Sequence, residues 1–410
     1  MMQRERRYRY ALSLITICVL SACSQASAPP MQSLAADGVS RPVLPMTAYK
    51  VLHDFGKGSD GSTPSAALAV LSGKLYGTTA YGGRGGNGTV FRIDRNDGAE
   101  KVLHSFGSRP DGEVPLSTLL AVNHVLYGTT EYGGKSNLGT VFTIDASGNY
   151  KVIHDFGAGS DGARPTAGLV ALGAGNKKLY GTTSAGGNYG QGTVFSIAPT
   201  SSPTENVLWS FGYLSDGAAA IGGLVALSDA LYGTTSLGGV NGDGVVFEVS
   251  TSGAETIAAS FKCVTNGRDS VAALVDLGGT LYGTAATGGT ATGCGTSTSG
   301  DGAVFSVSSG GMLREIYAFG GGSKDGAVPM APLAAWRGLL FGTTYAGGDF
   351  AGGTLFNVSP AGHETVLHSF GNETDGVRPL GGLIDVDRDF YGTTSAGGKY
   401  GGGTVYLFNR

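Results

Sequence analysis

Leu179-Tyr180-Gly181-Thr182-Thr183, closed by Gly186-Gly187 and followed by Gly192-Thr193-Val194-Phe195-Ser196-Ile197, is the stretch that decides the fold. Two short β-type runs flank a glycine pair, the signature of adjacent strands joined by a tight loop. Working outward, a small apolar run precedes it, and a third β-type run follows, closed by Gly212 and an Asp216-Gly217 turn. These four runs are strand a (Gly168 to Leu172), strand b (Lys178 to Thr183), strand c (Gly192 to Ile197) and strand d (Glu205 to Phe211). No window carries a 3.6-residue apolar period, and 73 glycines oppose helix throughout.

The unit recurs seven times. Its strand-d phenylalanine returns as Phe55, Phe106, Phe156, Phe211, Phe261, Phe319 and Phe370. Its strand-b aromatic returns as Tyr76, Tyr127, Tyr180, Tyr232, Tyr282, Phe341 and Tyr391. A period of about 50 residues belongs to propellers and solenoids. The first element after residue 47 is a lone strand d, Lys50 to Phe55, and the last is a strand c, Gly403 to Phe408. The N-terminal strand is therefore expected to complete the seventh repeat and close a ring, whereas an open solenoid leaves edges unpaired. The expected fold is all-β: a seven-bladed β-propeller of four-stranded antiparallel blades over residues 48–410. The small pairs Ala66-Ala67, Ala167-Gly168, Gly222-Gly223, Ala272-Ala273 and Gly381-Gly382 suit strands crowded at an axis, and the large aromatics suit packing between blades.

These motifs resemble the GloVer-type glycine-rich tandem repeat of exported, anchored bacterial proteins, and more loosely the kelch repeat, whose second strand also ends in Gly-Gly. The resemblance covers about residues 48–410 and implies export and anchoring; it carries no reaction. Repeat five departs most: Ala259 replaces the histidine, Ala285 replaces a threonine, and Arg268-Asp269-Ser270 stands where Asp-Gly is expected.

Residues 1–23 read as a targeting segment, with Arg4, Arg6, Arg7 and Arg9 before an apolar run too short to span a bilayer. Leu20-Ser21-Ala22-Cys23 resembles the lipobox of bacterial lipoproteins, which implies that Cys23 is the acylated first residue of the mature chain. Several acyl chains hold a soluble domain firmly at a membrane. By the same resemblance, Ser24 implies the outer membrane in a Gram-negative cell. Residues 24–47, rich in Ser, Ala and Pro, read as a flexible tether. Removing the leader's four arginines and one glutamate takes the net charge from −4 to −7. With 14% charged residues and no basic cluster, nucleic acid is excluded as a partner.

In antiparallel blades the b–c and d–a connections emerge on one face, which therefore carries the Gly-Gly loops and Asp-Gly turns. Cys263 and Cys294 meet there and read as a disulfide. The turn aspartates Asp60, Asp111, Asp161, Asp216, Asp325 and Asp375 offer one carboxylate each, which suits Asx turns with a positive-φ glycine better than calcium. His53, His104, His154 and His368 share a position with Trp209, Ala259 and Tyr317, so it reads as a packing position, with no metal and no cofactor implied. Asp276 and Asp385 replace Val70, Ala121, Ala171, Ala226 and Ala335 on strand a; facing the axis, they are the weak catalytic candidates. Tyr81, Tyr132, Tyr189, Tyr345, Phe350 and Tyr400 lie in b–c loops and form the candidate ligand-binding set. The expected function is that of an anchored, exported, monomeric binding or scaffold propeller that takes a glycan or a surface protein. The alternatives are a polysaccharide hydrolase or lyase, and a purely structural envelope protein.

Overall fold

Each repeat folds as an antiparallel sheet in the order a–b–c–d. In blade three the strands are Val170–Leu172, Lys178–Thr183, Thr193–Ile197 and Glu205–Ser210. The computed structural model describes residues 49–409 except 158, 174–177, 201–202, 213–214, 291–300 and 321–323. The expected leader, anchor and tether, Cys23 included, lie outside the described residues, as does Cys294. The ring closes as the repeat phase requires. Tyr49–Asp54 pairs antiparallel with Thr404–Phe408, Tyr49 opposite Phe408 and Asp54 opposite Thr404, and so supplies strand d of blade seven.

The buried apolar side chains fall into seven clusters, one at each seam between neighbouring blades. At the seam between blades three and four, Tyr180, Val194 and Phe211 meet Leu224, Leu231 and Phe247. The strand-d phenylalanine packs on the strand-c phenylalanine of the next blade, as in Phe211–Phe247 at 5.0 Å and Phe261–Phe305 at 4.9 Å. Such pairs contribute about 0.5–1.5 kcal/mol beyond their burial. The c–d pairing slips by one residue, between Val194 and Phe195 in blade three and equivalently in the other six. A bulge there adds local twist to the outer strand.

Backbone bolts join the blades. Thr63, Val114, Arg164, Ala219, Asp269, Val328 and Arg378, one per seam, hold φ between 55° and 60°. The Arg164 N–H donates to Leu138 O of blade two at 2.7 Å, and its carbonyl accepts from Ser184 N of blade three at 3.1 Å. At the closure, Thr63 N–H donates to Gly402 O at 2.8 Å and Thr63 O accepts from Ala80 N at 3.0 Å. A left-handed non-glycine residue costs on the order of 1–3 kcal/mol, offset by a pair of backbone hydrogen bonds at six seams; at the seventh, Asp269 O accepts from Ala286 N at 3.2 Å. The first threonine of the Thr-Thr pair adds another tie: Thr182 Oγ1 donates to Gly222 O, and Thr393 Oγ1 to Ala66 O, both at 3.0 Å.

Two turn expectations need correction. Gly61 and Gly217 take positive φ, but Gly112, Gly162, Gly326 and Gly376 do not. Glycine is required there by space: a Cβ on Gly376 would lie 1.9 Å from Thr394 Oγ1, and one on Gly162 2.4 Å from Thr183 Oγ1. The positive φ falls instead on the bolt residue two positions beyond. In repeat five, Asn266-Gly267 rather than Arg268-Asp269-Ser270 takes the Asp-Gly place. Asn266 Oδ1 accepts from Lys262 N at 2.8 Å, as Asp216 accepts from Gly212 N, and the short helix Cys263–Asn266 supplies the turn.

Candidate functional site

The b–c loops and d–a segments are joined into one face. Glu113 pairs with Tyr132, Ala163 with Ala185, Ala327 with Ala346 and Val377 with Ala396. Single bridges do the same for Ser62–Tyr81, Ala218–Leu237 and Arg268–Thr287. Two-residue ladders of this kind are too short to read from a glycine-rich sequence.

This face sorts the six expected aromatics into three settings. Tyr189, Phe350 and Tyr400 sit at loop tips, 66%, 51% and 41% exposed. The tips lie beside strand-d exits: a Cβ on Gly212 would contact the Tyr189 ring, and one on Gly371 the Phe350 side chain. Lys57 and Lys399 stand over Tyr400 at 5.7 and 5.4 Å. Tyr81 is 49% exposed at the bridge position. Tyr132 is half-buried at the equivalent place, with the Arg164 guanidinium over its ring at 5.4 Å. Tyr345 is buried, beneath Arg378 at 5.6 Å, and offers little surface to a ligand.

Glu131 was not singled out from sequence. It occupies the place of Ser184, Ser236 and Ser395, whose hydroxyls donate to the bolt carbonyls of Arg164, Ala219 and Arg378. Its carboxyl is buried and hydrogen-bonds the Tyr132 side chain. Burial pushes it above the usual carboxylate range, against the opposing pull of Tyr132 and of the Arg164 charge. The signal available in the sequence was a glutamate at a repeat position that otherwise carries Ser184, Ser236, Ser395, Ala80, Ala286 or Tyr345. The result is an acceptor, a ring and a guanidinium from blades two and three around one spot, with Tyr81 of blade one close enough to influence Tyr132.

Asp276 and Asp385 are the middle residues of strand a in blades five and seven, with blade six between them. In blade one the equivalent Val70 is 37% exposed between buried Ala69 and Leu71, so this position turns away from the core. Asp276 Oδ1 accepts from Gly279 N at 2.9 Å and so fixes the a–b turn. Cys263 is disulfide-bonded.

The turn aspartates are engaged by the chain. Asp111 accepts from Gly107 N at 2.9 Å, from Gly112 N at 2.8 Å and from His104 Nε2 at 3.1 Å. His154–Asp161 and His368–Asp375 repeat this pair at 3.2 and 2.8 Å, and His53–Asp60 is looser at 3.6 Å. The packing position therefore carries a polar contact seven residues downstream, which a Trp or Ala at the equivalent site had obscured. His154, Asp161 and Glu205 also bring their ligand atoms within 4.8 Å of one another.

Residues 39–177, 170–335 and 291–410 match the profile of the Gloeobacter/Verrucomicrobia repeat. No curated protein matches the chain. Among solved structures it is similar to the oligogalacturonate lyase of Vibrio parahaemolyticus, at 10% identity over 88% of this chain and 93% of that one, with a TM-score of 0.54. An oligogalacturonate lyase in complex with manganese gives 11% identity over 86% and 89%, with a TM-score of 0.52. A gluconolactonase of Xanthomonas campestris gives 13% over 88% and 89%, with a TM-score of 0.43. At these identities the likeness concerns the fold.

Proposed function

This chain belongs to the Gloeobacter/Verrucomicrobia repeat family, and we propose that it is an anchored, exported binding module that takes a glycan on its b–c and d–a loop face. One observation carries this reading. Among the described residues eight large hydrophobic side chains are exposed, and six of them, Tyr81, Tyr189, Val240, Val264, Phe350 and Tyr400, lie in b–c loops or d–a segments. Apolar surface gathered on one face of a soluble domain marks a contact surface. Aromatic rings set among glycine, with Arg164 and two lysines beside them, suit stacking on pyranose rings and hydrogen bonding to their hydroxyls. Among the described residues the bolts tie b–c loops to d–a segments through backbone hydrogen bonds, so little ordering entropy opposes binding there.

A glycan-array screen of the full chain tests the reading. Reproducible binding that Tyr132→Ala with Tyr400→Ala weakens at least about tenfold, roughly 1.4 kcal/mol, supports it. A blank array from folded protein sends the proposal to a protein partner or a structural role. The competing reading, a polysaccharide lyase or hydrolase, places the chemistry on Asp276 and Asp385. It requires a turnover that Asp385→Asn abolishes. The repeats favour binding, since Asp276 is already committed to its turn.

A further inference from the structure

Around the outer rim each seam has one slot filled by the first residue of the following strand d. That residue is Tyr150 or Tyr49 at two seams, Glu100, Glu205, Glu255 or Glu364 at four, and Leu313 at one. Where it is tyrosine, the ring stacks on a histidine, Tyr150 on His104 at 3.8 Å and Tyr49 on His368 at 4.0 Å. The two hydroxyls face Asp111 and Asp375. Where it is glutamate, Oε1 is buried without a hydrogen-bond partner at all four seams. The charged group facing it is the turn aspartate of the preceding repeat: Asp60 for Glu100, Asp161 for Glu205, Asp216 for Glu255 and Asp325 for Glu364.

Two carboxylates facing each other in a half-buried seam do not both stay ionised without cost. We propose that these four glutamates are held as neutral carboxylic acids beside the aspartate, as an uncharged tyrosine is held at two other seams, so that closure of the ring responds to pH. The slot accepts Tyr, Glu or Leu because each can occupy it uncharged. The surroundings agree: burial first and the aspartate charge second raise each glutamate to about 7. His154 opposes the shift at Glu205, and Tyr317 flanks the Glu364–Asp325 pair, where Asp325 also bears on Asp301. A divalent cation at His154, Asp161 and Glu205 is the competing occupant. Yet glutamate persists where Trp209 and Tyr317 replace the histidine, and histidine persists where tyrosine replaces the glutamate. Histidine and glutamate do not travel together as a ligand set would.

A carboxyl raised from 4.5 to about 7 keeps in the folded state a proton that the unfolded chain releases. Its stabilising contribution is complete below the unfolded value and is lost as pH rises through about 7. The test is the melting temperature of the full chain from about pH 5 to about pH 9, with infrared difference spectra of the carboxylic-acid carbonyl band. We expect a fall of roughly 5–10 °C across that range. The combined variant Glu100→Gln, Glu205→Gln, Glu255→Gln and Glu364→Gln keeps a neutral side chain in each slot and should remove at least half of the fall, together with the carbonyl band. Should that variant fail to fold, Glu205→Tyr rebuilds the composition of the Tyr150 seam and should remove about a quarter. Superposable profiles, no protonated-carboxyl band at about pH 6, or saturable manganese or zinc binding lost in Glu205→Gln would each overturn the proposal.

Discussion

The seam between blades one and two and the seam between blades four and five close the same ring with different chemistry. At the first, His104, Asp111 and Tyr150 form a polar network over the apolar cluster. At the second, Ala259, Asn266 and Leu313 stand in those places. There the turn is held by Lys262 N to Asn266 Oδ1 at 2.8 Å, by Cys263 N to Asp243 Oδ2 at 2.9 Å and by a disulfide at Cys263. Both seams keep the buried phenylalanine pair, Phe106–Phe142 and Phe261–Phe305, and both keep a positive-φ bolt, Val114 and Asp269. The apolar core and the backbone bolts are thus the common means of closure. The rim contacts are a variable addition.

The comparison breaks most readily at the phenylalanines. Phe106→Ala and Phe261→Ala should each cost about 3–5 kcal/mol, and by similar amounts, because both side chains are fully buried. Denaturant titration reads this, and clearly unequal losses would mean that the two seams do not share a core mechanism. Next comes Cys263→Ala, expected to cost about 2–5 kcal/mol and to abolish any effect of reductant on the melting temperature. Asp111→Ala follows at about 1–3 kcal/mol, since it leaves His104 and two backbone N–H groups without their acceptor. Asn266→Ala, which removes one neutral hydrogen bond, should cost about 1 kcal/mol. The smallest effect concerns acid. The surroundings of Asp111, the His104 contact foremost among those that lower it, hold its carboxyl below the usual range although burial opposes them. Its contribution is therefore present above the unfolded value of 3.8 and is lost as pH falls through the folded one. Asp111→Asn should flatten the acid limb of the stability profile, and a change at Asn266 should leave that limb alone.

The sevenfold repeat, the order of strands and the closure by Tyr49–Asp54 were legible because a strand alternates sides every second residue and a repeat exposes its own phase. The aromatic positions of strands b and d declared themselves as core because large apolar rings recurred there. Other features depended on residues far apart in the chain. Nothing local marks Thr63 or Arg378 as a left-handed bolt, since each is positioned by loops of two different blades. The glycine after each turn aspartate looked like a φ requirement and proved mostly to be a clearance from a threonine of strand b. Tyr345 and Tyr400 read alike in sequence, yet one lies buried under Arg378 and the other stands exposed. The Glu–Asp seams escaped notice because their partners come from successive repeats and meet only when blades are placed side by side. Periodicity along the chain thus determined the blade and the ring. Burial, charge pairing and exposure were decided by the tertiary structure, because they depend on distances between repeats.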